Sequence, residues 1–349
     1  MSVSFEGNSA DDVWRQAASA LLDFDMPAQQ DSRFGNIHEI LHASLHIHSP
    51  KNRWVHSRNP GINPAFAIAE VFWILSGSNE SSYINFWNPA LPRYAGLGER
   101  YHGAYGFRLR NQFGFDQIVK AYEALRDTPN SRQVVMQIWD ATTDFPIDSG
   151  IPVAPDIPCN ICSMLKLRAG KLEWAQIMRS NDIFRGTPYN IVQFTMLQEI
   201  MSGWLECGVG DYVQFCDSMH LYEKDIQEFS IDPMAQNILS TDNLAFPKNE
   251  SDEIISEMAR LLGELTHDSL GELKLRKLLD SNGLPEGYKN LLLIAGADSA
   301  RRRGWLHSAS IIANDCSNPV LVTAWEKWKT HRDQVTIRMK ESPKNKQVL

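Results

Sequence analysis

The chain has 349 residues, 43% of them apolar and 22% charged, the composition of a globular protein with a sizeable core. Its formal charge of -8 argues against a nucleic-acid partner, whose backbone is held by many Lys and Arg, and no apolar run reaches the ~20 residues of a membrane span. Five scattered cysteines, an odd number with no apolar leader before them, point to a reducing, cytoplasmic setting.

Residues 36–48 alternate, with Leu41, Ala43, Leu45 and Ile47 on one side and His42, Ser44, His46 and His48 on the other, the pattern of a half-buried strand. The stretch PAFAIAEVFWILSG, 64–77, is apolar nearly all round and ends at Gly77. It predicts a core helix carrying one buried or cleft-facing carboxylate, Glu70. QVVMQIW, 133–139, reads as a short buried strand. CSMLKLR and KLEWAQIMR, joined by Ala169-Gly170, read as a β-hairpin whose first strand begins just after Cys159 and whose second ends at Arg179 and Ser180. A helix follows Pro188 over 189–206, and a strand over 211–219 leads to His220 and Tyr222. Beyond 233 helical patterns recur at roughly 252–264, 269–280 and 317–331, and the charged tail after Arg338 is expected to be mobile. These elements predict one α+β domain: an N-terminal helical segment (1–30), a catalytic core (31–232), a helical C-terminal extension (233–338) and a tail (339–349).

Cys159 follows Pro158 where a loop opens into a strand, so its thiol can be presented to a cleft, although most lone cysteines merely pack. Arg179 nearby can favour the thiolate. Cys159 and Cys162 form C-x-x-C, but strand residues three apart face opposite sides and no second pair exists, so no metal is expected. The histidines at 42, 46 and 48 share a strand face, and that spacing alone does not close a coordination shell. Arg179-Ser180 supplies a planar donor fork and a hydroxyl suited to phosphate. Asn190, at a helix start, offers one donor and one acceptor, the complement of the O4 and N3–H edge of uracil. His220 and Tyr222 lie on one side of an extended segment and can reach one ligand hydroxyl together.

In order and spacing, Pro158-Cys159, Arg179-Ser180-Asn181-Asp182, Gly186-x-Pro188-Tyr189-Asn190 and His220-Leu221-Tyr222 resemble the thymidylate synthase and pyrimidine-nucleotide hydroxymethylase family, the resemblance running from about Arg33 to Tyr222. It implies a thymidylate synthase-like fold, a large mixed β-sheet flanked by helices, in a homodimer. It further implies that Cys159 adds to carbon 6 of a pyrimidine nucleotide, activating carbon 5 toward the methylene of 5,10-methylenetetrahydrofolate. By the same resemblance Glu70 organises proton transfer, Tyr105 belongs to a proton relay, and Trp87 lies near the folate. Arg33, Arg179 and Ser180 bind phosphate, and Arg132 joins them from the partner subunit. Asp182 supports the pterin and contributes to the substrate site, Asn190 reads the base, and His220 with Tyr222 holds the sugar 3′-hydroxyl.

The departures concern the product. Met178 stands where synthases usually carry Gln, and Met178-Arg179-Ser180-Asn181-Asp182 and Ser218-Met219-His220 resemble the hydroxymethylases. Asn160 stands where many bacterial synthases have His, and Gln133 where many relatives have a second Arg. The chain ends in Val348-Leu349 where synthases end in a closing Ala-Val; without closure, water can quench the intermediate and give hydroxymethylation. Asn190, where the dCMP enzyme has Asp, favours uracil and hence dUMP. Methyl and hydroxymethyl products both stay open. Two rivals are a non-catalytic nucleotide-binding protein on the same fold and a cytosine-5 methyltransferase. The latter is disfavoured by the missing Gly-rich fingerprint and the negative charge.

Overall fold

The computed structural model describes residues 3–23, 28–32, 35–147, 150–236, 238–280 and 283–341. The chain opens with β1 (Val3–Gly7) and α1 (Ala10–Leu22). A reciprocal capping box starts α1: Asp12 N–H donates to Ser9 Oγ (3.1 Å) and Ser9 N–H to Asp12 Oδ2 (3.0 Å). Next come β2 (Ala28–Gln30), β3 (Ile37–Ile47) and the short β4 (Arg58–Asn59). Helix α2 (Pro64–Ser76) begins where Asn63 accepts from Phe66 N–H, with Pro64 where a missing N–H costs nothing, and stops at Gly77 with φ 68°. The segments α3 (Ser81–Trp87), α4 (Pro92–Ala95) and α5 (Tyr105–Phe107) lead to α6 (Gln117–Asp127), β5 (Val135–Gln137) and α7 (Ala141–Asp144). Strands β6 (Asn160–Arg168) and β7 (Lys171–Asp182) form the expected hairpin, with Ala169 and Gly170 both at positive φ, as a tight two-residue turn requires. Then follow α8 (Thr187–Trp204), β8 (Gly208–Tyr222), β9 (Ser230–Ile231), α9 (Lys248–Glu264), α10 (Glu272–Asp280), α11 (Glu286–Arg302), α12 (Leu306–Asn314) and α13 (Pro319–Glu341).

Seven strands make the main sheet, in the order β1-β3-β8-β7-β6-β5, with β2 also paired to β3. The β1·β3 and β7·β8 pairs are parallel and the others antiparallel, so the sheet is mixed, as expected. Helix α8, buried nearly all round, packs on β7, β8 and α2, and α9, α11 and α13 pack on α2 in turn. The C-terminal helices thus share one hydrophobic core with the sheet. Among the described residues no helix is long and apolar enough to cross a membrane.

The structure departs from the expectations in four places. The N-terminal segment, expected to be helical, also supplies β1 and β2 to the sheet. Strand β5 is a three-residue edge strand with Val135 and Gln137 exposed, not a buried strand over 133–139. In β3 the alternation breaks at His42 (φ 57°): Ile40 is buried before it and Ala43, Leu45 and Ile47 after it, so Leu41 turns outward, 50% exposed. Helix α13 runs to Glu341, into the segment expected to be a tail, while Val348 and Leu349 lie outside the described residues.

Candidate active site

The parallel β7·β8 register sets Ser180 against Ser218 and Asp182 against His220, while Asn160 at the start of β6 faces Met178 of β7. Three strand ends therefore bring Cys159, Arg179, Ser180 and His220 together. Cys159 is half-buried, and its carbonyl accepts from Arg179 N–H at 2.9 Å. The Arg179 guanidinium donates through Nε to Pro158 O and through Nη2 to Ile157 O, both at 2.9 Å, which holds the loop that carries the thiol. Its Nη1 has no hydrogen bond among the described residues. Ser180 Oγ lies 3.4 Å from His220 Nδ1, and the His220 and Tyr222 rings meet edge to face at 5.2 Å.

Asn190 sits in the first turn of α8, behind Pro188 and Gly186. A Cβ on Gly186 would stand 2.6 Å from Asn181 Oδ1, so only glycine lets that carboxamide approach. Asn190 accepts from Asn160 Nδ2 at 3.1 Å and donates to Gly186 O and Asn181 Oδ1 at 3.0 and 3.2 Å. Tyr105 is close enough to feel both Cys159 and Asn160. Burial pushes its hydroxyl well above the usual tyrosine range and the nearby Cys159 adds to this, while a hydrogen bond from Asn160 opposes them. Glu70 has a buried Oε2 without a hydrogen-bond partner. Burial raises its carboxyl to about 8, against a weaker pull from Gln193. Asp182 Oδ1 accepts from Phe184 and Arg185 N–H, both at 2.8 Å, and its buried Oδ2 accepts no hydrogen bond. Burial raises this carboxyl, opposed first by the hydrogen bond from Arg185 N–H.

The other expected residues stand apart. Trp87 is fully buried at the end of α3, its carbonyl accepting from Asn63 Nδ2 (3.3 Å) and from Arg302. Arg132 is exposed ahead of β5, five residues before Gln137, which faces Cys162; the ladder carries it toward the hairpin turn and away from Cys159. Arg33 lies outside the described residues. Sequence reasoning missed Gln176 and Gln193. Gln176 was detectable as the polar member of the buried series Leu172, Trp174, Gln176 and Met178, and Gln193 as the residue one turn beyond Asn190.

On the opposite face of the sheet lie His46 and His48. Neighbouring strands add to them: His48 bridges Glu6 Oε1 (2.8 Å) and Asp211 Oδ2 (2.9 Å), and His46 also contacts Asp211 (2.7 Å). One ligand atom each from Glu6, His46 and His48 lies within 4.8 Å of the others, a grouping that strand spacing could not show.

Residues 61–258 match the family model for thymidylate synthase. The chain is similar to the deoxyuridylate hydroxymethyltransferase of Bacillus phage SP01, 31% identical over 64% of this chain and 59% of that protein. It is also similar to the deoxyuridylate hydroxymethyltransferase of Pseudomonas phage M6, 32% identical over 46% of this chain and 45% of the relative. The thymidylate synthase of Vesicomyosocius okutanii is 27% identical over 47% of this chain and 62% of that one. The chain thus spans about half of the length of the curated relatives it matches. With the family model covering more than half of its residues, the chain belongs to the thymidylate synthase family.

Proposed function

We propose that this chain transfers a one-carbon unit from 5,10-methylenetetrahydrofolate to carbon 5 of dUMP through a covalent adduct at Cys159, giving the 5-hydroxymethyl nucleotide. The observation that carries this reading is the convergence of Cys159, Arg179, Ser180 and His220 on three strand ends, with the Asn190 carboxamide bonded to Asn160 at the start of the first strand, and with Tyr105 close enough to feel both Cys159 and Glu70. The Cys159 thiolate forms a bond to carbon 6, and the electron pair moves through carbon 5 toward the oxygen at carbon 4. Arg179 Nη1 and Ser180 Oγ bind the phosphate, Asn190 meets the base, and His220 with Tyr222 holds the sugar hydroxyl. The folate supplies a carbon at the oxidation level of formaldehyde. Asp182 fits that group, because its buried Oδ2 accepts no hydrogen bond, with Arg185 Nε no nearer than 3.9 Å, and is an acceptor for a pterin N–H. Carbon 5 takes up the folate's carbon and loses its proton as the carbon–nitrogen bond to the folate breaks and tetrahydrofolate departs; water then adds to the exocyclic carbon as the sulfur–carbon 6 bond breaks and Cys159 leaves. The raised carboxyl of Glu70, with its buried Oε2 free of hydrogen bonds, supports a role in proton transfer.

Hydroxymethylation is favoured over methylation by the names of three relatives at 30–32% identity, all deoxyuridylate hydroxymethyltransferases, and by Met178 and Asn181. Homodimerisation is supported by the apolar Leu41, Phe215 and Val135 on the open face of the sheet, and the exposed Arg132, carried away from Cys159 of its own chain, would serve the partner's site. Mass spectrometry of dUMP incubated with enzyme and methylenetetrahydrofolate is expected to show addition of CH2O; addition of CH2 would make the chain a synthase. Tritium release from carbon 5 is expected to vanish in Cys159→Ala. Release that persists in the variant would end the covalent reading, and no release from the native chain would make it a binding protein.

A further inference from the structure

We propose that Gln176 and Trp174, in the middle of β7, are positioning residues that fix which way round Asn190 presents its carboxamide, and so set the choice between uracil and cytosine. The proposal rests on Asn190 being the base reader. A carboxamide has nearly the same shape either way round, so its sense is decided by its hydrogen-bond partners. Trp174 Nε1 can only donate; it gives to Gln176 Oε1 at 3.1 Å, and Ser163 Oγ gives to the same oxygen at 2.6 Å. Gln176 must then turn its amide to Asn160, Nε2 to Oδ1 at 2.8 Å, and Asn160 turns its own amide to Asn190 Oδ1 at 3.1 Å. At the far end Asn190 Nδ2 meets Gly186 O at 3.0 Å, a group that can only accept. The relay runs from an obligate donor to an obligate acceptor, and reversing any one amide would set N–H against N–H and oxygen against oxygen.

All of its side chains are buried, so water cannot repair a reversal. Both Asn190 amide hydrogens are engaged, by Gly186 O and Asn181 Oδ1, so the donor expected from the sequence to meet uracil O4 is taken, while Oδ1 keeps one lone pair beyond that used by Asn160. A fixed acceptor of this kind suits the N3–H of uracil and repels the N3 lone pair of cytosine. Gln176 thereby acts on the base through two intervening amides without touching it.

Gln176→Glu tests this directly. Ionised, the carboxylate still accepts from Trp174 and Ser163 but also presents an acceptor to Asn160, which must turn its amide toward Glu and its oxygen toward Asn190, and Asn190 then has to reverse. Because burial favours the protonated acid, which would donate to Asn160 as Gln176 does, the ratio is read at about pH 9. The ratio of kcat/KM for dUMP over dCMP is expected to fall roughly tenfold or more, the effect of one misdirected hydrogen bond, with the shift also present in the two nucleotides' dissociation constants. Gln176→Met, which cannot direct Asn160 either way, should lose dUMP affinity without gaining dCMP affinity. Should Gln176→Glu fail to fold, Trp174→Phe removes the obligate donor and is expected to narrow the ratio. Asn190→Asp separates the two layers. If it shifts the ratio while Gln176→Glu, folded, leaves it unchanged, the relay is overturned and the base reader stands; if Asn190→Asp leaves the ratio unchanged, both fall.

Discussion

Glu70 is the one charged residue in a thirteen-residue helix, and its position makes it a titrating group as well as a candidate catalyst. Its carboxyl, ordinarily ionising near 4.5, is raised by burial to about 8. Between those values the folded chain keeps a proton that the unfolded chain has released, so stability falls as pH rises through that window and levels off above it. Glu70→Gln is neutral throughout. It should gain stability relative to the native chain between about pH 5 and about pH 8.5, by on the order of a few kcal/mol, read by denaturant unfolding at both pH values. Turnover should fall roughly 100-fold or more as the proton donor is lost. A stability difference that does not change with pH would show that Glu70 does not titrate in this window. At this scale much was legible: a lone acid in an apolar run, a Cys after Pro, an Arg-Ser pair at a strand end. Gln176 was harder to see, because its partners Ser163 and Asn160 come from another strand and its importance lies in register.

Between elements, the turn joining β7 to α8 places Gly186 against Asn181 Oδ1, although the glycine φ of -95° is open to any residue. Gly186→Ala should therefore fold, yet displace Asn181 and Asn190; a roughly tenfold or greater loss of dUMP affinity with little change in Tm is expected by titration calorimetry and thermal melting. Undiminished affinity would show that the carboxamide gives way freely. At the sheet edge, hydrogen bonds to Asp211 and then Glu6 raise the pKa of His48, so the charged imidazole ties β1 to β3 and β8. That contribution is complete below the ordinary histidine value of 6.5 and is lost as pH rises through the raised value. Protection factors of the Val3–Gly7 amides, which allow for the base-catalysed rise in intrinsic exchange, should fall between about pH 6 and about pH 8.5, and His48→Gln should remove that fall. The sequence concealed β1 because five residues with two polar members and a glycine carry little periodicity. It concealed α11 for the opposite reason: buried nearly all round, that helix has no polar face to produce a 3.6-residue repeat. Helix α8 is buried in the same way but was legible from its periodicity over 189–206 and from Pro188 ahead of it.

For the whole molecule, the sheet covers one face with helices and leaves Leu41, Val135 and Phe215 on the other, 50%, 49% and 44% exposed, which a second copy would cover. Phe215→Glu is expected to convert a dimer to a monomer in light scattering and to abolish turnover if Arg132 serves the partner's site; a native chain that is already monomeric would refute the arrangement. The mixed sheet was legible from its strands and hairpin, whereas the packing of α9, α11 and α13 onto α2 was not, since contacts between distant segments leave no local pattern. Strand β8 has a consequence for how the protein is made. It lies between β3 and β7 and is paired along both edges, yet it leaves the ribosome after both neighbours. Until it arrives, β3 and β7 expose unpaired edges, and a chain stopped short of Gly208 has two half-sheets open to pairing with other chains. The strand that brings His220 to the site is also the one whose arrival closes the sheet, so closure of the sheet and assembly of the strand-end residues of the site are a single event in synthesis, with the helices from Lys248 onward still to come.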